Sequence, residues 1–342
     1  MKAMILDRQY DLHLEKTPLK PVDLPIPEPG EGEIRVRVSA CGVCHTELDE
    51  IEGRTLPPHL PVVPGHQVVG IVDLCGPGAE RFTPGQRVGI AWIFSACGQC
   101  GLCQGGQENL CDAFQATGRD TDGGYAEYTK VHEDFAYPIP EVFSDTEAAP
   151  LLCAGAIGFR SLSLAHLKAG QRLGLTGFGA SAHLVLKMVK HRSPESEIFV
   201  FARSQKEQAF ARELGAVWAG HTDDRAPIKL DAVIDTTPVW KPVVRALENL
   251  APGGRLVINA IRKESVDRDY LLNLDYPIHL WQEKEIKSVA NVQRSDVTAF
   301  LDLAAQIPIK PEVETYSLME ANRALVDLKE KRIRGAKVLV VQ

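Results

Sequence analysis

Four thiols stand at the spacing C-x2-C-x2-C-x7-C, namely Cys97, Cys100, Cys103 and Cys111. Glycines at 98, 101, 105 and 106 let so short a loop fold back on itself, so the four sulfurs can surround one ion tetrahedrally. A closed shell of four cysteines leaves no position for substrate and marks a structural zinc; a disulfide knot and chance clustering are the alternatives. An open site has to be sought among the other thiols and histidines. Cys44 and His66, each in a turn beside a strand-like segment, and Cys153, in Ala149-Pro-Leu-Leu-Cys-Ala-Gly-Ala, are the candidates. Two sulfurs and an imidazole are the donor types of a catalytic zinc that keeps a fourth position free. A buried cysteine or a satisfied core histidine is the plainer reading of each residue taken alone.

Gly177-Phe-Gly-Ala-Ser-Ala182 fits G-x-G-x-x-G/A between an apolar strand and an amphipathic helix. Small residues there let backbone amides approach a pyrophosphate at the positive end of a helix. Gly177, Gly179 and Ala182 are therefore candidate dinucleotide contacts, with a bare glycine turn as the alternative. For NAD, the next strand should end in an acid that binds the adenosine ribose. It ends instead in Phe201-Ala-Arg203-Ser204, a guanidinium beside a hydroxyl, which suits a 2′-phosphate and favours NADP over NAD. A solvated surface arginine is the competing reading of Arg203.

The elements that must position these residues fall into two styles. Residues 34–40 alternate apolar and polar with period two, which places Ile34, Val36 and Val38 on a core face. Turn-strand units follow at 62–72, 84–90 and 123–128, so the first half is β-rich. From 173 onward strands alternate with helices: strands over 173–176, 198–201, 232–234 and 255–258, helices to about 190 and over 205–214. That rhythm predicts a parallel sheet wrapped by helices. The tail carries a helix over 318–331 and a strand over 336–341, and is expected to return to the first domain.

The length of 342 residues implies about two or three domains. With 44% hydrophobic and 24% charged residues the chain is ordinarily globular. A net charge of -7 without a basic run argues against a nucleic-acid partner. The longest apolar run, 148–159, is shorter than the about 20 residues a membrane span takes, and the first residues alternate charged and apolar instead of forming a signal-peptide core. Neither a membrane nor nucleic acid is an expected partner. Eight cysteines, four of them assigned to metal, fit the reducing cytoplasm.

The segments CGVCHTE, PGHQVVG, the four-cysteine loop, APLLCAG and GFGASA stand in the order of the zinc-dependent medium-chain alcohol dehydrogenases, and the resemblance covers essentially the whole chain. It implies an α/β protein with a GroES-like, β-rich catalytic domain over 1–153 and 291–342, including a structural zinc lobe at about 95–112. A Rossmann domain with a doubly wound parallel sheet over 154–290 would take NAD(P). Two zinc ions per chain, a small alcohol or aldehyde substrate and a homodimer or homotetramer are implied with it. On this pattern Cys44, not Cys41, matches a ligand of the catalytic zinc, being directly before His45-Thr46, and His66 and Cys153 match the other two. Thr46 matches the hydroxyl that binds the substrate oxygen and passes its proton on. His45 and Arg334 match contacts to the coenzyme pyrophosphate, and Trp92 matches a bulky pocket wall, to which Phe94 could add. Cys41 and Cys75 have no counterpart and read as core thiols.

Three residues depart from the family pattern. Glu47 stands where Asp is usual and can still orient His66. Gln67 stands where Glu is usual, and Asp49 at the pocket takes the place of a relay histidine, which leaves the proton's exit route open. Hydride leaves carbon readily only after the alcohol has lost its proton. Zinc brings the pKa of bound water from about 16 to roughly 7; a similar shift for an alcohol is worth on the order of 12 kcal/mol, against about 3 to 5 for a general base alone. A zinc-dependent NAD(P)-linked alcohol dehydrogenase or aldehyde reductase is thus the expected function. A zinc-independent quinone or enone reductase on the same fold, and a nucleotide-binding relative without turnover, are the alternatives.

Overall fold

In the computed structural model, which describes residues 1–307, 309–330 and 335–341, β1 (Lys2–Leu6) and β2 (Leu19–Asp23) open the chain as an antiparallel ribbon. Its edge position tolerates Pro21. β3 (Glu33–Val43) is the spine of the first unit. Ile34, Val36 and Val38 on it are fully buried, as their alternation predicts. β4 (Val68–Cys75) and β5 (Arg87–Ile90) follow antiparallel. β6 (Ile93–Ser95) and β7 (Gln115–Ala116) pair with each other on either side of the cysteine loop. β8 (Tyr128–His132) pairs with β3, and β9 (Ala136–Pro138) with β5. In the turn-strand unit read over 123–128 the strand begins at Tyr128; Gly123 and Gly124 before it pack against the backbone of Gly65 and the sulfur of Cys41, where a side chain would collide.

The second unit holds β10 (Arg172–Thr176), β11 (Glu197–Phe201), β12 (Trp218–Gly220), β13 (Leu230–Asp235), β14 (Leu250–Ile258) and β15 (Glu285–Ser288). All pair in parallel, in the order β12-β11-β10-β13-β14-β15. This is the doubly wound order whose direction reverses between its first and fourth strands, here β10 and β13. The inner strands read as apolar runs because helices cover both faces. Phe199, Phe201, Leu230, Val233 and Leu256 pack with Val243 and Leu247 of the helix Lys241–Asn249.

The tail adds β16 (Val313–Ser317) and β17 (Ala336–Val340), and β17 pairs with β3. The sheet of the first unit runs β16-β17-β3-β4-β5-β9, with β8 beside β3. The two units are Met1–Cys153 with Val292–Gln342, and Ala154–Asn291. The tail helix is shorter than its sequence pattern: Leu318–Glu320 is a 3-10 turn and the α-helix is Ala321–Lys329. Ser317 and Glu320 cap one another there, with Ser317 Oγ donating to Glu320 Oε2 at 2.9 Å. Residue 331 lies outside the described residues. One helical stretch, Asp145–Ala165, is long and apolar enough to cross a membrane, but 61% of its window is buried inside the protein, the state of a core helix.

Candidate metal centres and coenzyme site

β3 and β4 run antiparallel with Cys41 opposite Val68, so the residues just past the end of one and just before the start of the other meet. That register brings Cys44 and His66, 22 positions apart in sequence, to 3.6 Å between Sγ and Nε2. Gly65 makes the approach with φ +101°, and a Cβ there would come within 2.4 Å of the Tyr125 ring. Cys153 arrives from a π-helical turn, Leu151–Gly155, which follows the helix Asp145–Pro150. The donor atoms of Cys44, His66 and Cys153 all lie within 4.8 Å of one another.

Tetrahedral zinc with Zn–S of about 2.3 Å and Zn–N of about 2.0–2.1 Å places sulfur and nitrogen about 3.5 Å apart, and this pair already has that spacing. The chemistry of the donors calls for a cation as well. The Cys153 thiol beside it, burial and the Glu47 carboxylate push the Cys44 thiol well above its usual range; two sulfurs ionise side by side only where a positive charge offsets them. Burial alone would depress His66, yet the charges of Glu47 and Cys44 outweigh it and hold the imidazole well above its ordinary value.

Glu47 organises this centre. The helix His45–Ile51 starts from Cys44, whose Sγ accepts from the Thr46 amide at 3.3 Å. Glu47, in its first turn, accepts from the Cys44 amide at 2.9 Å through Oε2 and meets His66 Nδ1 at 2.6 Å through Oε1. One fully buried carboxylate thus fixes the backbone of one sulfur donor and the tautomer of the imidazole, leaving Nε2 free for a metal. Burial, and then the charge of Glu47, push Glu50 in the same helix well above the usual carboxylate range.

His45 is exposed and Thr46 half-buried at the start of that helix. Asp49 is buried, and its Oδ1 takes Arg54 Nε at 2.6 Å. Gln67 is buried against Gly42, and its Nε2 has no hydrogen-bond partner among the described residues. Trp92 is buried with its ring 4.9 Å from that of His66, edge to face, and Arg119 lies over it at 5.6 Å. Phe94 lines a separate cavity of about 460 Å³ with Met1, Leu24 and Tyr128. Cys41 is fully buried, whereas Cys75 is only half-buried and donates to Phe82 O at 3.3 Å; it stands near the end of a strand, not in the core.

The second thiol cluster is built locally. Cys97, Cys100, Cys103 and Cys111 have donor atoms within 4.8 Å of one another. Cys97 and Cys103 stand 3.8 Å apart, the edge of a tetrahedron with Zn–S of about 2.3 Å. Backbone amides donate to three of the sulfurs: Cys100 to Cys97 at 3.4 Å, Cys103 to Cys100 at 3.5 Å and Ala113 to Cys111 at 3.3 Å. The amides of Gln99 and Cys100 pull Cys97 down to about 6, while desolvation and then the neighbouring thiols lift Cys103 to about 12. The set can hold a closed, four-sulfur zinc. Buried Glu108, between the third and fourth cysteines, anchors the loop by accepting from the Arg294 amide at 3.1 Å and its Nε at 3.2 Å.

At the glycine motif, Gly177 adopts φ +77°, and a Cβ there would meet Thr236 Oγ1 at 2.9 Å. Gly179 has nothing within 4 Å of where a Cβ would stand. It starts the helix Ala180–Arg192, which has no side-chain cap among the described residues; first-turn amides without such a cap can take an external acceptor such as a phosphate. Ala182 is fully buried in the first turn. Arg203 is exposed past the end of β11. Ser204 is committed elsewhere than its sequence position suggested: it caps the helix Gln205–Glu213, donating from Oγ to Glu207 Oε2 at 2.8 Å and accepting from the Glu207 amide at 3.2 Å. Arg334 lies outside the described residues. The π turn that carries Cys153 has only Pro150 inside an apolar run as its sequence signal, and the ion pair of Lys263 with Asp235 has none, since its partners share no motif.

Residues 30–141 match the alcohol dehydrogenase GroES-like domain. A probable alcohol dehydrogenase AdhA of Mycobacterium tuberculosis is 45% identical over 334 residues, covering 96% of this chain and 94% of that one. An alcohol dehydrogenase of Geobacillus stearothermophilus is 33% identical over 352 residues, covering 99% and 98%. Among solved structures, a cinnamyl alcohol dehydrogenase of Sorghum bicolor superposes with a TM-score of 0.84 at 26% identity, covering 99% of this chain and 97% of that one. With the parallel sheet, the two thiol clusters and this near-full-length likeness in hand, the chain belongs to the zinc-dependent medium-chain alcohol dehydrogenase family.

Proposed function

We propose that the protein is a zinc-dependent, NAD(P)-linked alcohol dehydrogenase and aldehyde reductase, moving hydride reversibly between a small primary or secondary alcohol and the coenzyme. The observation that carries this reading is the meeting of Cys44, His66 and Cys153, three donors within 4.8 Å of one another with an orienting carboxylate behind the histidine. A zinc ion held there supplies Lewis acidity to a substrate oxygen, easing loss of the alcohol proton in one direction and carbonyl reduction in the other. The chain's own residues do the rest. Glu47 holds His66 with Nε2 directed away from it; Thr46, beside Cys44, takes the substrate hydroxyl and its proton; Trp92, packed on His66, limits the size of the group that enters. With Asp49 bound to Arg54 and Gln67 neutral, the proton leaves through Thr46 without a carboxylate relay at those positions.

The uncapped helix after Gly179 is assigned to the coenzyme pyrophosphate. NADP is favoured by Arg203, exposed at the end of β11 where no acid stands; the Ser204 hydroxyl, taken by Glu207, adds little. Homo-oligomers are expected through β15: it is the edge of its sheet, all four of its residues are exposed, and Leu272, Tyr276, Ile278 and Trp281 are exposed in the preceding segment. Such an edge is a template for a second copy. The cytoplasm, which keeps cysteines reduced, is the proposed compartment. A coenzyme-linked absorbance assay over an alcohol and aldehyde panel, with NADH and NADPH, before and after chelation, tests the reading. Zinc-dependent turnover is expected; turnover confined to quinones or enones and indifferent to chelation would replace it with the zinc-independent alternative.

A further inference from the structure

The last residues of β10 and β13 meet where the strand order of the parallel sheet reverses, and they are joined there. Thr176 Oγ1 donates to Asp235 Oδ1 at 2.5 Å, and Thr237 donates to the same oxygen from its hydroxyl at 2.8 Å and its amide at 3.3 Å. The other carboxylate oxygen pairs with Lys263 Nζ. That ammonium also donates to the carbonyls of Thr237 at 2.6 Å and Val239 at 3.2 Å. The Asp235 side chain is 0% exposed and that of Lys263 7%. All three donors of the lysine and both oxygens of the aspartate are therefore occupied.

The pair fastens three loops that leave the carboxyl ends of β10, β13 and β14. The Thr236 amide and hydroxyl each donate to Thr176 O at 3.0 Å, directly beneath Gly177. The Asn259 amide donates to Asp235 O at 2.7 Å and the Glu264 amide to Pro238 O at 2.7 Å. The loop over 259–264 is thus tied near both ends and by Lys263 between them. Open parallel sheets bind ligands in the crevice outside their carboxyl ends at the point of reversal, and the strands beyond that point form the second mononucleotide half. A well-packed apolar pair would stabilise such a site as well as an ion pair or better. What the ion pair adds is a fixed conformation for loops that lack repetitive structure.

We propose that Lys263 is a coenzyme-positioning residue: through Asp235 it holds the loops over 236–239 and 259–264 in the shape that receives the nicotinamide half of the dinucleotide. This rests on the coenzyme reading above. Lys263 itself makes no contact with the coenzyme, because its donors are spent inside the protein. Its loss is therefore felt by the dinucleotide and not by a fragment confined to the adenosine half.

The test uses Lys263→Met, with Lys263→Gln, which keeps an amide donor, as the milder second variant. NADH and NADPH binding is measured by fluorescence titration, 5′-AMP binding by calorimetry, and melting by circular dichroism. For whichever coenzyme the wild type prefers, the dissociation constant is expected to rise tenfold or more in Lys263→Met and at least threefold in Lys263→Gln, with 5′-AMP binding within twofold of wild type. Dinucleotide binding within twofold of wild type in Lys263→Met overturns the inference, as does equal weakening of dinucleotide and 5′-AMP. If Lys263→Met fails to fold, Lys263→Gln decides by the same comparison. A wild type that binds neither coenzyme overturns the dinucleotide reading itself, before any variant is compared.

Discussion

Replacing Glu47 by Gln changes one atom in a fully buried side chain and removes one of two acceptors. The carboxylate serves His66 Nδ1 at 2.6 Å and the Cys44 amide at 2.9 Å, one oxygen each. A carboxamide has a single acceptor oxygen, so either the imidazole N–H or the amide loses its partner, and the charge that favours the correct tautomer is lost as well. An orphaned buried donor costs about 1–3 kcal/mol. Loss of the group that orients a metal-bound histidine typically costs about 10- to 100-fold in metal affinity, or about 1.4–2.7 kcal/mol, which agrees with the first figure. Competition against a chromophoric zinc chelator reads this directly. Glu47→Gln is expected to release one zinc per chain at a chelator concentration about 10- to 100-fold lower than wild type requires, while the second zinc, held by four sulfurs far along the chain, is released as in wild type. Release within threefold of wild type would refute the assignment of Glu47 as the orienting group.

Cys100→Ala opens the four-sulfur shell and is expected to lower Tm by at least roughly 5 °C, with residual hydride transfer in the fraction that stays folded; unchanged melting would show that the loop stands without metal. In protein stripped of zinc, Cys97 is ionised above about pH 6 while Cys103, raised to about 12, stays protonated. Iodoacetamide at pH 7 should therefore label Cys97 first, and labelling should fall as pH drops below about 6; peptide mass spectrometry showing Cys103 labelled first would reverse the order. Arg203→Asp should turn preference from NADPH toward NADH by roughly tenfold or more in kcat/KM, and a wild type that already prefers NADH strongly would remove the basis for it.

The parts of this protein that were legible in its sequence are those in which neighbours in the chain are neighbours in space. The spacing of Cys97, Cys100, Cys103 and Cys111 is itself the fold of the loop, and the strand, Gly177 turn and helix follow one another without interruption. The period-two pattern around Val36 and the apolar runs of β10 and β11 announce their environments in the same way. Cys44, His66 and Cys153 are different. Their meeting depends on the register of β3 against β4 and on a π turn after Pro150, neither of which a spacing rule contains, so donor type made them candidates and likeness to a family strengthened the set. Ser204 has a second role for a related reason: a hydroxyl near a strand end suits a phosphate, and a glutamate three residues on also makes it a helix cap. Asp235 and Lys263, 28 residues apart, have no pattern that pairs them, because the contact is made by loops whose shape the sheet imposes.

Diffraction at the zinc absorption edge from crystals of the full chain tests the central claim most directly. Two anomalous peaks per chain are expected, one inside the loop of Cys97, Cys100, Cys103 and Cys111, the other touching Cys44, His66 and Cys153 with its remaining side facing no protein donor. An absent second peak in active enzyme, or a fourth side chain closing that side, would contradict the account.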